Sequence, residues 1–490
     1  MRGFRWDMRH RFLNLFGFVT FLVIGAGCCP AQDEVGRVPQ QLDWSSWKER
    51  CLALPSNQSI LSQQAPAGRA AISSEQFDDL LERFFALQLQ QALANAAQWV
   101  GGKPDGAFFD PQLSYFRDSG VPFMPFAQKL NLNPETRVIF NGDLHGDIRS
   151  LITTIGSWQE KGLLDGFRIV APDTHLVFLG DYTDRGFYGV EVISTLLRLK
   201  LENPGNIWMS RGNHEEFQLV TQYGFVAEMQ KKFGVLYDVN KVVGIYDCLP
   251  VVIYVGSSSG DYLQCNHGGM EPGFDPRSLL ESGEPLAYQL IGQLNQRTFA
   301  DAHPELLDAV GFPERNQLQA LLADFTPETP TTPRTFGFLW NDFSAFAEDP
   351  ALAFKDQRGW VYGQAGTAAV LKANSTQNVR VQAVFRAHQH SRSLSPLMQR
   401  LLVSRGVFRH WQTTDAVGLA TAPPTLLERL LDTSTIRSVK EGAVYTFNVS
   451  PDSVYGVGCY YNFATHGILS ITEAFSDWKL EVVALPVNFE

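Results

Sequence analysis

The sequence predicts an α/β fold on three observations. Short runs of β-forming apolar residues recur along the chain, helical patterns fall between some of them, and each run ends in a polar cluster. The runs are "TRVIFN" (136–141), "HLVFLG" (175–180), "NIWMS" (206–210), "YLQCN" (262–266) and "VQAVFR" (381–386), each read as a buried strand. "GVEVISTLLRLKLEN" (189–203) supplies a helix between the second and third. The polar clusters are "GDLHGD" (142–147), "GDYTDRG" (180–186), "RGNHEE" (211–216), "HGG" (267–269) and "RAHQH" (386–390). Ligands of open α/β sheets collect beyond the carboxyl ends of the strands, so five such clusters predict one site where a single cluster would predict a turn.

Upstream of this region the chain changes character. "MRGFRWDMRHR" holds four arginines, and Phe12 to Ala31 carries no charge, the pattern of an export signal over residues 1–31. The same run is about long enough for an uncleaved membrane anchor, and Cys28 or Cys29 could serve a lipoprotein signal despite an imperfect lipobox. The cleaved signal and the anchored forms predict an exported or membrane-anchored protein: periplasmic, envelope, secreted or in an organelle lumen. Residues 32–72 are polar and rich in Gln, Ser, Pro and Ala, and read as a linker within a 32–130 extension. "SSEQFDDLLERFFALQLQQALANAAQWVGG" then predicts one long helix, with Ser73 and Gln76 forming a capping box and Gly101-Gly102 ending it.

A catalytic domain over 131–490 follows, interrupted at about 270–335 by a segment that ends Pro-rich ("TPETPTTPRT"). Helical patterns near 285–298 and 314–324 suggest a cap or insertion that shapes substrate access. The formal charge of −11, from 40 basic and 51 acidic residues, argues against a nucleic-acid-binding surface. Six scattered cysteines do not make a disulfide scaffold; Cys248, Cys265 and Cys459 sit in or beside apolar runs, and Cys51 alone has polar neighbours.

The clusters bring Asp, His and Asn from separate strand ends, with no thiolate. Hard oxygen and imidazole donors suit Mn²⁺, Fe or Zn²⁺ over a soft metal. Two ions about 3.5–4 Å apart need a shared oxygen ligand; together they lower the pKa of a bridging water and neutralise phosphate oxygens.

Taken in order, "GDLHG", "GDYTDRG", "RGNHE", "HGG", "RGWVYG" (358–363) and "RAHQ" resemble the motifs of the phosphoprotein phosphatase family of Ser/Thr phosphatases, within the calcineurin-like metallophosphoesterases. The resemblance runs from about 136 to 475. It implies a metallophosphoesterase-type β-sandwich flanked by helices, with the N-terminal helical region as an extension. It implies two divalent metal ions, manganese in the first place and iron or zinc as alternatives. Asp143 and His145 would hold one ion, Asp181 would bridge, and Asn213, His267 and His388 would hold the other. His214 would be the general acid for the leaving alkoxide, oriented by Asp184, and Arg185 and Arg358 would clamp the phosphate. Asp147 reads as a helix cap, His390 as a surface histidine with a place behind the metal ligands as the alternative, and Arg211 as a residue of open role.

The family's C-terminal loop, whose tyrosine lies over the site, is replaced by "FNVSPDSVYGVGCYYNF" (447–463), where Tyr455 takes that place. The function implied is hydrolysis of phosphomonoesters by a metal-activated hydroxide, with a phosphoprotein or phosphopeptide as substrate and no nucleic-acid partner. A dinucleoside polyphosphate hydrolase or other metallophosphoesterase, and a catalytically dead phosphoprotein-binding scaffold, are the alternatives.

Overall fold

The computed structural model describes residues 43–61, 70–104, 125–292, 337–355, 358–413 and 423–489, with single positions between 294 and 304. The leader and the helix expected near 314–324 lie outside the described residues. No described helix is long and apolar enough to cross a membrane.

Two mixed sheets pack face to face. The first comprises β3 (Arg137–Asn141), β4 (Thr174–Phe178) and β5 (Ile207–Met209), mutually parallel, extended by β14 (Ile436–Ser438), β16 (Phe463–Ser470) and β17 (Lys479–Pro486) in the order β14-β17-β16-β3-β4-β5. The second has eight strands. They are β1 (Trp99–Val100), β2 (Phe126–Leu132), β6 (Val252–Ser257), β7 (Asp261–Asn266), β8 (Leu286–Leu290), β12 (Arg380–Arg386), β13 (Val407–Arg409) and β15 (Val444–Phe447), in the order β1-β8-β2-β6-β7-β12-β15-β13. A small third sheet holds β9 (Asp342–Phe343), β10 (Leu352–Lys355) and β11 (Gly359–Tyr362), with β11 central.

Alternation along each strand explains the layering, because successive side chains point to opposite faces. On β3, Val138 and Phe140 enter the core between the sheets with Ile253, Leu263, Phe385 and Phe447. Phe140 meets Phe385 at a ring-centroid distance of 5.0 Å. Ile139, from the same strand, faces the other way and packs with Ile152 and Ile155 of α4 (Ile148–Glu160) and Leu196 of α5 (Gly189–Glu202). Five predicted strands and the 189–203 helix therefore form where expected.

The fold departs from expectation in three places. The long helix begins at its capping box but ends early, as α3 (Ser74–Leu87); a π turn and a 3₁₀ turn capped by Asn95 follow, and Trp99 starts β1. Tertiary packing overrides helix propensity here, since Trp99 stacks among Phe126 and Tyr288 at 5.6 and 5.1 Å. The segment expected to be helical near 285–298 instead supplies β8, antiparallel to β2. A short apolar run does not distinguish strand from helix by periodicity, and an available sheet edge decides it. Residues expected to be linker form α1 (Trp44–Leu52) and α2 (Asn57–Leu61), with Trp47 and Cys51 fully buried. Cys51, Cys248, Cys265 and Cys459 are all free, buried thiols, so Cys51 is a core residue despite its polar neighbours in sequence.

Candidate metal centre and active site

Six loops at the carboxyl ends of β3, β4, β5, β7, β12 and β15 converge. To fit side chains into so small a volume their backbones turn sharply. His145, Asp181, Asp184, Arg185 and His388 all have left-handed torsions, with φ of 46, 54, 68, 65 and 64°. Gly180 and Gly212 meet at the closest approach of two loops, where a Cβ on Gly180 would lie 2.5 Å from the Gly212 nitrogen.

Two clusters of potential ligand atoms share Asp181. One contains Asp143, His145, Asp181 and His390; the other contains Asp181, His267 and His388. In the first, His145 Nε2 lies 3.4 Å from Asp181 Oδ2 and His390 Nε2 lies 3.1 Å from Asp143 Oδ2. In the second, His267 Nε2 is 3.1 Å from Asp181 Oδ2, 2.9 Å from Asn213 Oδ1 and 3.1 Å from His388 Nδ1. The backbone selects the tautomers. His145 Nδ1 donates to the Thr183 carbonyl at 2.9 Å and His267 Nδ1 to the Leu179 carbonyl at 3.0 Å, leaving each Nε2 lone pair aimed inward.

These atoms fit a pair of cations. Asp143 Oδ2 and Asp181 Oδ2 are buried without a hydrogen-bond partner. In the second cluster His267 Nε2 faces two oxygen acceptors, Asp181 Oδ2 and Asn213 Oδ1, and this calls for positive charge: burial opposes charge on His267, yet Asp181 and Asp143 raise its pKa above the ordinary value. The electrostatics agree. Burial raises the cost of charge on Asp181, but His267, His214 and His145 outweigh it and keep that carboxyl well below its ordinary range. Burial holds His145 at about 3, a neutral ligand. His388 is pushed down as well, by burial and then by the charge of Arg358.

Beside the shared carboxylate stands a hydrogen-bonded pair. His214 Nδ1 lies 2.6 Å from Asp184 Oδ2, and Asp184 Oδ1 accepts from the Phe225 amide at 3.0 Å. Burial opposes charge on His214, yet Asp181 and the Asp184 hydrogen bond raise its pKa above the ordinary value. Arg185 stacks on Tyr223, 3.6 Å from the ring centroid. Arg358 Nε reaches Asp342 Oδ2 at 3.3 Å. Tyr455 covers the first cluster, its ring centroid 3.8 Å from that of His390 and 5.3 Å from that of His145.

Asp143, His145, Asp181, His267 and His388 thus fall in the two clusters, Asn213 meets His267, His214 pairs with Asp184 and Tyr455 lies over His390, while some unexpected residues join them. His390 is the correction: it belongs to the first cluster and is no surface histidine. Strand alternation does not reach it, since β12 ends at Arg386 and His388 has a left-handed torsion; the only sequence signal was the density of histidine in "RAHQH". Asp147 caps α4 as expected, accepting from the Ser150 amide at 2.8 Å. Glu215 is fully buried and gathers the amides of Asp181, Tyr182 and Gly212 at 2.8, 3.0 and 2.7 Å, joining two of the loops. Burial and then Asp181 raise its pKa to about 7. Arg211, also buried, donates from Nε to the Glu215 carbonyl at 3.1 Å. Asp342 lies between Arg358 and Arg386, and nothing in the sequence singled it out.

The family model for calcineurin-like phosphoesterases matches residues 136–392, the segment that holds both clusters. The chain belongs to that family. Among its relatives, this phosphoesterase is 34% identical over 175 residues to a catalytic subunit of protein phosphatase 2A from Dictyostelium discoideum. That alignment covers 34% of this chain and 53% of the relative, so the phosphoesterase spans about half the length of the curated protein it matches. Among solved structures, a protein serine/threonine phosphatase from Saccharomyces cerevisiae superposes with a TM-score of 0.45 at 15% identity, over 85% of this chain and 91% of the other. A cold-active protein-tyrosine phosphatase from a psychrophilic Shewanella gives 0.28 at 15% identity, over 54% and 70%.

Proposed function

We propose that this phosphoesterase hydrolyses phosphomonoesters of serine and threonine in proteins, using two divalent ions, manganese in the first instance. The observation that carries the reading is the pairing of two ligand clusters through Asp181 with a His214–Asp184 pair directly beside it. Asp143, His145, Asp181 and His390 would hold one ion, and Asp181, Asn213, His267 and His388 the other. When bound, such ions lower the pKa of water and neutralise the charge of a phosphoryl group.

The remaining work belongs to side chains. A serine or threonine alkoxide is a poor leaving group and needs a proton as the P–O bond breaks. His214, kept protonated by Asp181 and Asp184, is placed to give it. Asp184 engages Nδ1 of the ring, so that Nε2 would be the nitrogen to give the proton. Arg185, steadied by Tyr223, and Arg358, steadied by Asp342, supply donors for phosphate oxygens. Asn213 adds a neutral oxygen where a third carboxylate would weaken the attraction of the ions for phosphate. The 34% identity to a protein phosphatase catalytic subunit supports a phosphoprotein substrate.

The test is turnover by the full chain with Mn²⁺ of a phosphoserine peptide, a phosphotyrosine peptide, diadenosine tetraphosphate and p-nitrophenyl phosphate, side by side. Preference for the phosphoserine peptide supports the reading. Preference for the dinucleotide would replace it with a nucleotide hydrolase, and activity undiminished by exhaustive chelation would reject the two-metal site.

A further inference from the structure

The catalytic loops are not held together by the family-matched segment alone. Asn57, at the start of α2, is fully buried although the sequence around it is polar. Its Nδ2 donates to the Gly146 carbonyl at 3.0 Å and to the Asp452 carbonyl at 2.7 Å. Its Oδ1 accepts from the Phe187 amide at 2.8 Å. One side-chain amide therefore joins three loops: the first carries Asp143 and His145, the second Asp181, Asp184 and Arg185, the third Tyr455.

It sits where the first two loops approach closely. A Cβ on Gly186 would lie 2.3 Å from the His145 carbonyl oxygen and 2.8 Å from Asn57 Nδ2. The third loop is pinned reciprocally. Asp452 accepts from the Asn57 and Gln58 amides at 2.8 and 2.9 Å, and its own amide donates to Asp147 Oδ2 at 2.8 Å. Asparagine suits the position because it offers two donors and one acceptor on a short stem; aspartate would offer no donor, and alanine would leave three buried backbone groups unmatched.

The segment that presents Asn57 is anchored by other contacts. Trp47 Nε1 donates to Thr195 Oγ1 at 2.9 Å, Arg149 Nη2 to the Leu54 carbonyl at 2.8 Å, and Ser56 Oγ to the Phe489 carbonyl at 2.7 Å. Loss of the Asn57 side chain thus leaves the segment docked while the loops lose their tie.

We propose that Asn57 is a positioning residue that sets the spacing between the loop of Asp143 and His145 and the loop of Asp181 and Arg185, from outside the family-matched segment. The proposal rests on the phosphoesterase reading above. The experiment compares the full-length wild type with Asn57→Ala, Asn57→Asp, Asn57→Ser and, as a control on the same segment, Ser56→Ala. Kinetics are read with Mn²⁺ and p-nitrophenyl phosphate, and hydrogen–deuterium exchange is read on the metal-free chains.

The expected result for Asn57→Ala is a kcat lower by about 10- to 100-fold, the scale of a misplacement near 1 Å, with KM changed by less than about twofold. A higher Mn²⁺ concentration for half-maximal activity should accompany it. Exchange should quicken in peptides covering 143–147, 182–188 and 450–455 and stay unchanged over 44–52. Asn57→Asp should behave like Asn57→Ala, Asn57→Ser should retain part of the activity, and Ser56→Ala should match the wild type. The proposal is overturned if Asn57→Ala keeps wild-type kcat and exchange, or if Ser56→Ala loses as much. Should Asn57→Ala fail to fold, Asn57→Ser decides by the same two readouts. A wild type inert toward every phosphoester would overturn the functional reading, while the exchange experiment would still decide the role of Asn57.

Discussion

Residues 136–392 and the segments flanking them contribute different kinds of atom to the site. The matched segment supplies groups with charge or lone pairs to give: the carboxylates of Asp143 and Asp181, four imidazoles around them, the His214–Asp184 pair and two guanidinium groups. The flanks supply fit. Asn57 bonds to backbone atoms of three loops, Asp452 ties its own loop to the amides that begin α2, and Tyr455 lays a ring across His390. The difference teaches that the chemistry of this protein is encoded in one stretch of chain, while its rigidity draws on Glu215 within that stretch and on residues outside it as well.

The comparison breaks if a change in the matched segment is tolerated. The largest expected effect is that of Asp181→Asn, which removes the charge shared by both clusters. It should lower phosphatase turnover by at least about 10³-fold and reduce the metal bound per chain, measured by elemental analysis after dialysis. Next comes His214→Asn, with a loss of about 10²- to 10⁴-fold on a phosphoserine peptide. On p-nitrophenyl phosphate, whose leaving group departs without a proton, the loss should be far smaller; equal losses on both would remove His214 from the acid role.

These two residues also show how much was legible in the sequence. Asp181 and His214 sit in short motifs because the chemistry restricts each position to one residue type, and a strand must deliver it. Asn57 and Asp452 sit in no motif, since tying backbone groups together requires only a polar side chain of the right reach, and their partners are far away along the chain. The same reasoning covers β8. Its five residues could have been helix or strand, and the edge of β2, distant in sequence, made the choice. His390 was within reach only through the density of histidine in "RAHQH", since β12 ends at Arg386 and strand alternation does not extend to it. Asp342 was not, for its meaning depends on two arginines it meets only after folding.

Smaller effects sharpen the comparison from the other side. Tyr455→Ala should leave the metals bound and cost a few-fold in kcat/KM, about 1 kcal/mol of transition-state binding, measured by steady-state kinetics. The smallest expected change is in stability alone. His410, outside the matched segment, is buried and donates to the Ser344 carbonyl at 2.7 Å while Thr446 Oγ1 stands 2.8 Å from its other nitrogen. Burial first, and the charge of Arg386 in addition, outweigh the Ser344 contact and hold its pKa at about 3, against 6.5 for an ordinary histidine. A depressed histidine takes up a proton more readily in the unfolded chain. Its contribution is therefore intact above pH 6.5 and is lost progressively as pH falls toward 3. His410→Gln should lower the midpoint of acid unfolding by about half a pH unit, with turnover at neutral pH unchanged; circular dichroism during acid titration checks the first and kinetics the second.

The left-handed torsions of the five site residues reach beyond catalysis. An L-residue with a side chain holds such a conformation at roughly 1 kcal/mol or more, a cost that glycine escapes. Arg185→Gly would shed that cost, against which stands the lost stacking on Tyr223, while removing a phosphate donor. Wherever the shed cost exceeds the lost contact, selection for heat resistance alone would find gains at the positions that do the work, and would yield a sturdier protein with an emptied trade.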